Sequence, residues 1–190
     1  MHDYYKLYEK EKVYLKDKLD IQNIDYEFLL QLTCFSFFIR ILLDQIQITL
    51  KITITDLSFK ITIFSILISI ISKCIVVPLA EEIIFRFGIY EIMNKKIGRI
   101  MAIILSSVFF SVIHSYLLYD TFILAILSII WTYSYYKKQN LIYPIILHFL
   151  HNCYSIIGYI DFNNVYYIIF GILCLITCLL TLLYKKRSSI

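Results

Sequence analysis

The chain has 190 residues, of which 60% are hydrophobic and 17% charged, and its mean hydropathy is +0.76. A soluble domain is about half apolar and about a quarter charged, so this composition excludes an ordinary soluble domain. The net charge of +4 is small, and the basic residues flank apolar stretches without forming a basic face, which excludes nucleic acid as a partner. The prediction is an all-α, polytopic transmembrane bundle of about six to seven membrane helices in a lipid bilayer.

The predicted elements begin with a charged segment, residues 1–25. Apolar stretches then follow over residues 26–43, 61–77, 79–93, 98–119, 121–136, 141–160 and 165–184. Stretches of about 16 to 20 residues are long enough to cross a hydrocarbon core of about 30 Å. Residues 26–184 are therefore the predicted bundle, and residues 185–190 form a basic tail.

The connectors between these stretches predict the topology. Basic residues concentrate in three of them, around Lys95–Arg99, at Lys137–Lys138 and at Lys185–Arg187, whereas the links at Asp120 and at residues 161–164 have none. The positive-inside rule assigns the basic connectors and both termini to the cytoplasm. Residues 61–93 must then form either one long crossing kinked at Pro78 or a span followed by a re-entrant piece, and both alternatives stay open.

Three charged residues lie within one apolar stretch. A charge at the bilayer centre costs about 2.5–3.5 kcal/mol on insertion scales, so Glu81, Glu82 and Arg86 are predicted to face the bundle interior. Glu82 and Arg86 are four residues apart and can form an ion pair on one helical face. Glu81 points about 100° away from Glu82 around the helix, which leaves it free for chemistry.

Further polar groups come from two other predicted helices. His114 lies toward the outer end of its span, and His148 and Asn152 share one face of theirs. A carboxylate with imidazoles suits general base catalysis on water, and Glu with two His is also a zinc-ligand set. The structural alternatives are an ion pair for Glu82 with Arg86, a hydrogen-bonded core histidine for His114, and interhelical hydrogen bonding for His148 with Asn152.

The remaining notable side chains receive structural interpretations. The five cysteines lie in apolar segments without a C-x-x-C pair, and we interpret them as small apolar residues. His151 is interpreted as a near-interface or packing histidine, and Arg40 as snorkelling or pairing locally. Tyr133, Tyr135 and Tyr136 are predicted to form an interfacial aromatic belt.

Three short motifs follow one another on successive apolar helices. Residues 81–86 read E-E-x-x-x-R, residues 110–114 read F-x-x-x-H, and residues 148–152 read H-x-x-x-N. In this order and in a membrane context they resemble the CPBP family of intramembrane endopeptidases. That family is also called Abi and includes the type II CAAX prenyl proteases and bacteriocin-processing or immunity proteins. The resemblance covers about residues 78–155, which would be the catalytic core.

The resemblance implies a role for each motif residue. Glu81 would be the base that activates water, and Glu82 and Arg86 would support it. His114 would hold or polarise the water, and His148 with Asn152 would stabilise the oxyanion. It also implies one of two mechanisms: either a divalent metal such as zinc held by Glu81, His114 and His148, or a metal-free reaction that depends on the glutamate.

The expected function is hydrolysis of a peptide bond in a hydrophobic or lipid-associated peptide or protein. The short chain fits a bacterial member in the cell membrane, for which peptide processing or bacteriocin immunity are the usual suggestions. Two alternatives stay open. One is a transporter or channel subunit with an intramembrane Glu/His relay. The other is a catalytically inactive immunity or binding protein of the same fold.

Overall fold

The computed structural model describes residues 15–50, 67–68, 70–115, 117–158 and 164–188, and within these ranges every regular element is helical. We label the long helices α1 to α6. Their bounds are Tyr26–Thr49 for α1, residues 70–97 for α2, Arg99–His114 for α3, Leu118–Lys138 for α4, Ile142–Gly158 for α5 and Asn164–Ser188 for α6. The predicted all-α membrane bundle is therefore confirmed.

Three of these helices have segments long and apolar enough to cross a membrane, namely Tyr26–Thr49, Leu118–Lys138 and Tyr166–Tyr184. The helix α3 is apolar but shorter. Many large apolar side chains on α1, α3 and α6 are exposed, as expected for surfaces that face acyl chains.

The structure shows how the helix passes through Pro78. Residues 70–97 form one continuous helix, in which the stretches Ile70–Val76 and Ile83–Tyr90 are π-helical and Val77–Glu82 and Glu91–Ile97 are α-helical. Pro78 is the second residue of the α-helical stretch that follows the first π-helical one, and the helix continues through it. From residue 70 to residue 97 the stretch is therefore one helix without a break. Extra π turns inside α-helices often occur at functional sites, and here they flank the paired glutamates.

Local backbone features set the helix ends. The Asp25 carboxylate caps α1 by accepting a hydrogen bond from the backbone N–H of Phe28 at 2.9 Å. Gly98, at a φ of 79°, reverses the chain between α2 and α3, a conformation that only glycine adopts without strain. The helix α3 ends at His114, earlier than the predicted end of that stretch at residue 119.

The helices α1 and α6 pack side by side and run in opposite directions. Cys34 clusters with Cys174 and Cys178, and Ile41 lies against Gly171, where a β-carbon would come within 3.1 Å of the Ile41 side chain. A larger residue at position 171 would therefore push α6 away from α1.

The basic connectors meet at one end of the bundle. The Arg99 guanidinium donates to the Tyr136 hydroxyl at 2.6 Å, and Lys138 pairs with Asp25 at 2.6 Å. Burial lowers the pKa of Lys18, which donates to Gln139 at 2.5 Å, and the nearby Glu91 carboxylate opposes that shift. These contacts place residues 15–25, the α2–α3 junction and the α4–α5 junction at the same end of the bundle. Connectors on one side of a bilayer must share one end in this way.

The prediction that three tyrosines of α4 form an interfacial aromatic belt is wrong for Tyr135. Tyr135 is fully buried and donates its hydroxyl hydrogen to Glu91 at 2.9 Å, so it ties α4 to α2 instead of lying in an interfacial belt. Tyr133 is exposed, as a belt residue would be.

Candidate active site

The innermost part of the site is an ion pair buried within α2. The Nε atom of Arg86 lies 2.8 Å from Oε2 of Glu82, and neither side chain is exposed. The predicted pairing across four residues is confirmed. An unpaired charge at this depth would cost several kcal/mol, so the two residues neutralise one another and keep the helix inside the bundle.

A serine on α4 anchors the other end of the guanidinium. The Nη2 atom of Arg86 donates to the Ser128 hydroxyl at 2.9 Å, and Ser128 is fully buried. Sequence reasoning missed Ser128, because one serine in an apolar helix looks the same whether it contacts a charge or its own backbone.

Replacement of Ser128 by Ala is expected to lower the free energy of unfolding in detergent by about 1–3 kcal/mol, because a buried charged donor then loses its acceptor. Ser134→Ala is the matched control. Ser134 is also buried on α4, but its hydroxyl contacts only the backbone oxygen of Trp131, so its loss should be smaller. Equal losses in the two variants would contradict this role for Ser128.

Glu81, the other glutamate of the pair, lies between two imidazoles from other helices. Oε1 of Glu81 is 2.9 Å from Nε2 of His114 on α3, and Oε2 is 3.7 Å from Nε2 of His148 on α5. The Glu81 side chain is 19% exposed, in contrast to the fully buried Glu82. The expectation that these three side chains converge is confirmed, and within this pair of glutamates only Glu81 is partly exposed.

The other ring nitrogens define how each imidazole is oriented. Nδ1 of His114 lies 2.6 Å from the backbone oxygen of Phe110, which can only accept a hydrogen bond, so Nδ1 carries the hydrogen. Nδ1 of His148 lies 2.8 Å from Oε1 of Glu82, whose charge is balanced by Arg86, and it donates in the same way. In the neutral form, both rings therefore present an unprotonated Nε2 toward Glu81.

This arrangement has a chemical consequence for Glu81. A carboxylate oxygen and an unprotonated imidazole nitrogen cannot share a 2.9 Å hydrogen bond without a hydrogen between them. That hydrogen belongs either to the Glu81 carboxyl group or to a His114 imidazolium. The contact can therefore hold one proton and pass it between Glu81 and His114, and a base acting on water must take up and release a proton in this way.

The remaining two predicted polar groups of α5 lie further from Glu81. The side-chain nitrogen of Asn152 donates to the backbone oxygen of Lys73 at 2.7 Å, which leaves its second N–H available. His151 is buried, lies 3.0 Å from the Ser36 hydroxyl and stacks on Phe37, so its interpretation as a packing histidine is confirmed.

A groove lies between α3 and α4 on the bundle surface. It has a volume of about 710 Å³ and is lined mainly by apolar atoms, with Val108 and Ser111 on α3 and Phe122 and Ala125 on α4. Ser111 lies one helical turn before His114, so the groove leads toward the imidazole end of α3.

The donor set bears on whether a metal fits. A carboxylate and two imidazoles are ligands that zinc accepts, and both rings have the Nδ1 hydrogen bond that typically orients a metal-binding histidine. Glu81, His114 and His148 thus fit a divalent metal by donor type. Within the described ranges, however, no group of three or more His, Cys, Asp or Glu side chains is arranged as a metal site.

Comparison with known proteins supports the motif assignment. Residues 63–154 match the family described as type II CAAX prenyl endopeptidase Rce1-like. The chain is also 40% identical over 75 residues to the UPF0177 protein YxdF of Lactococcus lactis subsp. lactis (strain IL1403), a match that covers 39% of this chain and 40% of that protein. No solved structure matches the chain. The family match spans all three motifs and confirms the predicted resemblance.

Proposed function

We propose that this chain, in which residues 63–154 match the Rce1-like family of type II CAAX prenyl endopeptidases, is an intramembrane endopeptidase. One observation carries the proposal: Glu81 is partly exposed between two imidazole nitrogens, whereas its neighbour Glu82 is fully buried in an ion pair. An acid used only for structure would need neither the exposure nor two imidazole nitrogens facing it.

In this proposal, the Glu81 carboxylate removes a proton from a water molecule that attacks the peptide carbonyl carbon, and that proton then passes to the leaving amine as the C–N bond breaks. His114, 2.9 Å from Glu81, holds the water and takes part in proton transfer. His148 faces the same carboxylate. When its Nε2 carries a proton, His148 would donate to the oxyanion of the tetrahedral intermediate together with a side-chain N–H of Asn152. Glu82 and Arg86 do not react, and they hold His148 from behind through Nδ1.

A divalent metal is compatible with the same residues. Glu81, His114 and His148 would be its ligands. Its contribution would be to lower the pKa of a bound water and to polarise the carbonyl oxygen. Addition of a chelator to purified protein separates the two schemes: lost cleavage that Zn²⁺ restores requires the metal, and unchanged cleavage assigns activation of the water to Glu81 alone.

The substrate class follows from the surroundings of the site. A groove between α3 and α4 on the bundle surface is lined mainly by apolar atoms, which suits an apolar substrate that approaches from the bilayer. We propose a hydrophobic or lipid-associated peptide or protein, and processing of a bacteriocin or other peptide is one setting for such a reaction. The positive-inside rule assigns the basic end of the bundle to the cytoplasm. The membrane in this proposal is that of a bacterial cell.

The experiment uses the purified chain in lipid nanodiscs with a library of apolar peptides, with and without lipid chains, and mass spectrometry of the products. His114→Ala is expected to lower the cleavage rate at least about 100-fold, since proton transfer by a positioned group contributes about 10²–10⁴. His151→Gln, at a buried imidazole that does not contact Glu81, should retain cleavage.

Other outcomes would contradict the proposal. Ion flux in proteoliposomes without cleavage of any peptide would identify a transporter that uses Glu81 and the two histidines as a relay. Cleavage at the wild-type rate in His114→Ala would remove the imidazole from the mechanism.

A further inference from the structure

The helix α4 carries no residue of the three motifs, yet one of its side chains forms a wall of the candidate site. The Trp131 indole stacks on the His148 imidazole, with ring centroids 4.4 Å apart and planes 19° from parallel. Trp131 is 1% exposed, and its ring meets Phe110 edge to face at 6.0 Å. Phe110 in turn stacks on His114 at 4.2 Å. Each imidazole that faces Glu81 therefore lies flat against its own aromatic ring.

His148 needs such a wall because its hydrogen bonds alone do not fix its plane. Nδ1 is held by Glu82, but Nε2 lies 3.7 Å from Glu81, which is too far for a direct hydrogen bond. The terminal torsion of a histidine side chain is broad, so a ring held at one atom can still turn. The parallel contact with the indole supplies the second constraint.

We propose that Trp131 is a positioning residue, which holds the plane of His148 so that Nε2 points at Glu81. The catalytic consequence rests on the proposed endopeptidase function, whereas the orientation of the ring does not. A purely structural role would need only the volume of the indole. The positioning role needs a flat aromatic face, and this difference makes the two roles separable.

The kinetic test compares Trp131→Leu with Trp131→Phe. Leu keeps apolar bulk without a flat face, so kcat should fall about ten- to a hundredfold, as misplacement of a reacting group does, while KM changes less than about twofold. Phe restores a planar face and should recover kcat to within about threefold of the wild type. Tyr133→Leu is the matched control, because Tyr133 lies on the same helix and is exposed, and its kcat should not change.

The second test does not depend on activity. In protein labelled at histidine, NMR records the carbon-bound ring proton resonances of His148, which are assigned by their loss in His148→Gln. The indole ring current should displace these resonances in the wild type, and Trp131→Leu should return them to ordinary positions. Trp131→Phe should keep most of the displacement.

The two tests fail separately. A wild-type protein without peptidase activity would end the proposed function, while the NMR measurement would still decide the orientation. Resonances of His148 that do not move in Trp131→Leu would overturn the inference. So would a Trp131→Phe variant as slow as Trp131→Leu, because volume alone would then be the requirement.

Discussion

Replacement of Glu81 by Gln is expected to abolish cleavage, with a loss in rate of about 10²–10⁴ or more, because the proton acceptor for water is gone. The fold should persist. The side-chain amide of Gln has the same shape and can donate a hydrogen bond to Nε2 of His114, which the structure places 2.9 Å from the present carboxylate oxygen. The free energy of unfolding should therefore change by no more than about 1 kcal/mol. Peptide cleavage and unfolding in detergent are measured on the same preparation.

Glu91→Gln is the matched control for this variant. Glu91 lies on the same helix, and its carboxylate accepts a hydrogen bond from Tyr135 at 2.9 Å, but it belongs to the basic end of the bundle and not to the site. Cleavage should therefore be retained in Glu91→Gln. A Glu81→Gln protein that cleaves as fast as the wild type would refute the assignment of Glu81 as the base.

Replacement of Arg86 by Met is expected to lower the free energy of unfolding by about 3–5 kcal/mol, because removal of one partner leaves a buried charge without compensation. Both members of the Glu82–Arg86 pair are fully buried, so water cannot solvate the carboxylate that remains. The double variant Glu82→Gln with Arg86→Met should recover at least about 1 kcal/mol, since the uncompensated charge is gone. Unfolding free energies in detergent micelles provide the measurement.

The helix α1 offers a control with the same spacing. Arg40 pairs with Asp44 across four residues at 3.0 Å, but these side chains are 27% and 20% exposed. Arg40→Met should cost less stability than Arg86→Met, because the Arg40–Asp44 pair is only partly buried. Similar losses in Arg40→Met and Arg86→Met would show that burial does not decide the contribution of the inner pair.

The convergence of Glu81, His114 and His148 could be predicted from the sequence because polar groups in apolar helices must face the bundle interior. A charged or imidazole side chain is expensive in acyl chains, so each of these residues had to face the interior. The same cost predicted the Glu82–Arg86 pair. The number of crossings was harder, because hydropathy does not show whether a helix continues through Pro78, and a π-helical turn leaves no simple sequence signal.

The contribution of α4 escaped prediction for a different reason. Trp131 and Ser128 lie in a helix whose apolar side chains look alike whether they meet lipid or protein. A weak signal was present in the hydropathy. The helix α4 is less apolar than α6, and a larger share of its residues is buried. The less apolar span is the one at the centre. Such averages rank helices by burial but do not identify the residue that touches the site.

The position of His114 at the last residue of α3 also constrains how a substrate is presented. The chain leaves helical geometry at Ser115, so the contact between Glu81 and His114 lies near the rim of the bundle, away from the basic end. A helical substrate hides its peptide carbonyls in its own hydrogen bonds, except over its final turn. A scissile bond near the frayed end of a membrane-inserted peptide would thus reach Glu81 with about one turn unwound, whereas a bond at mid-helix would first have to break several backbone hydrogen bonds in lipid.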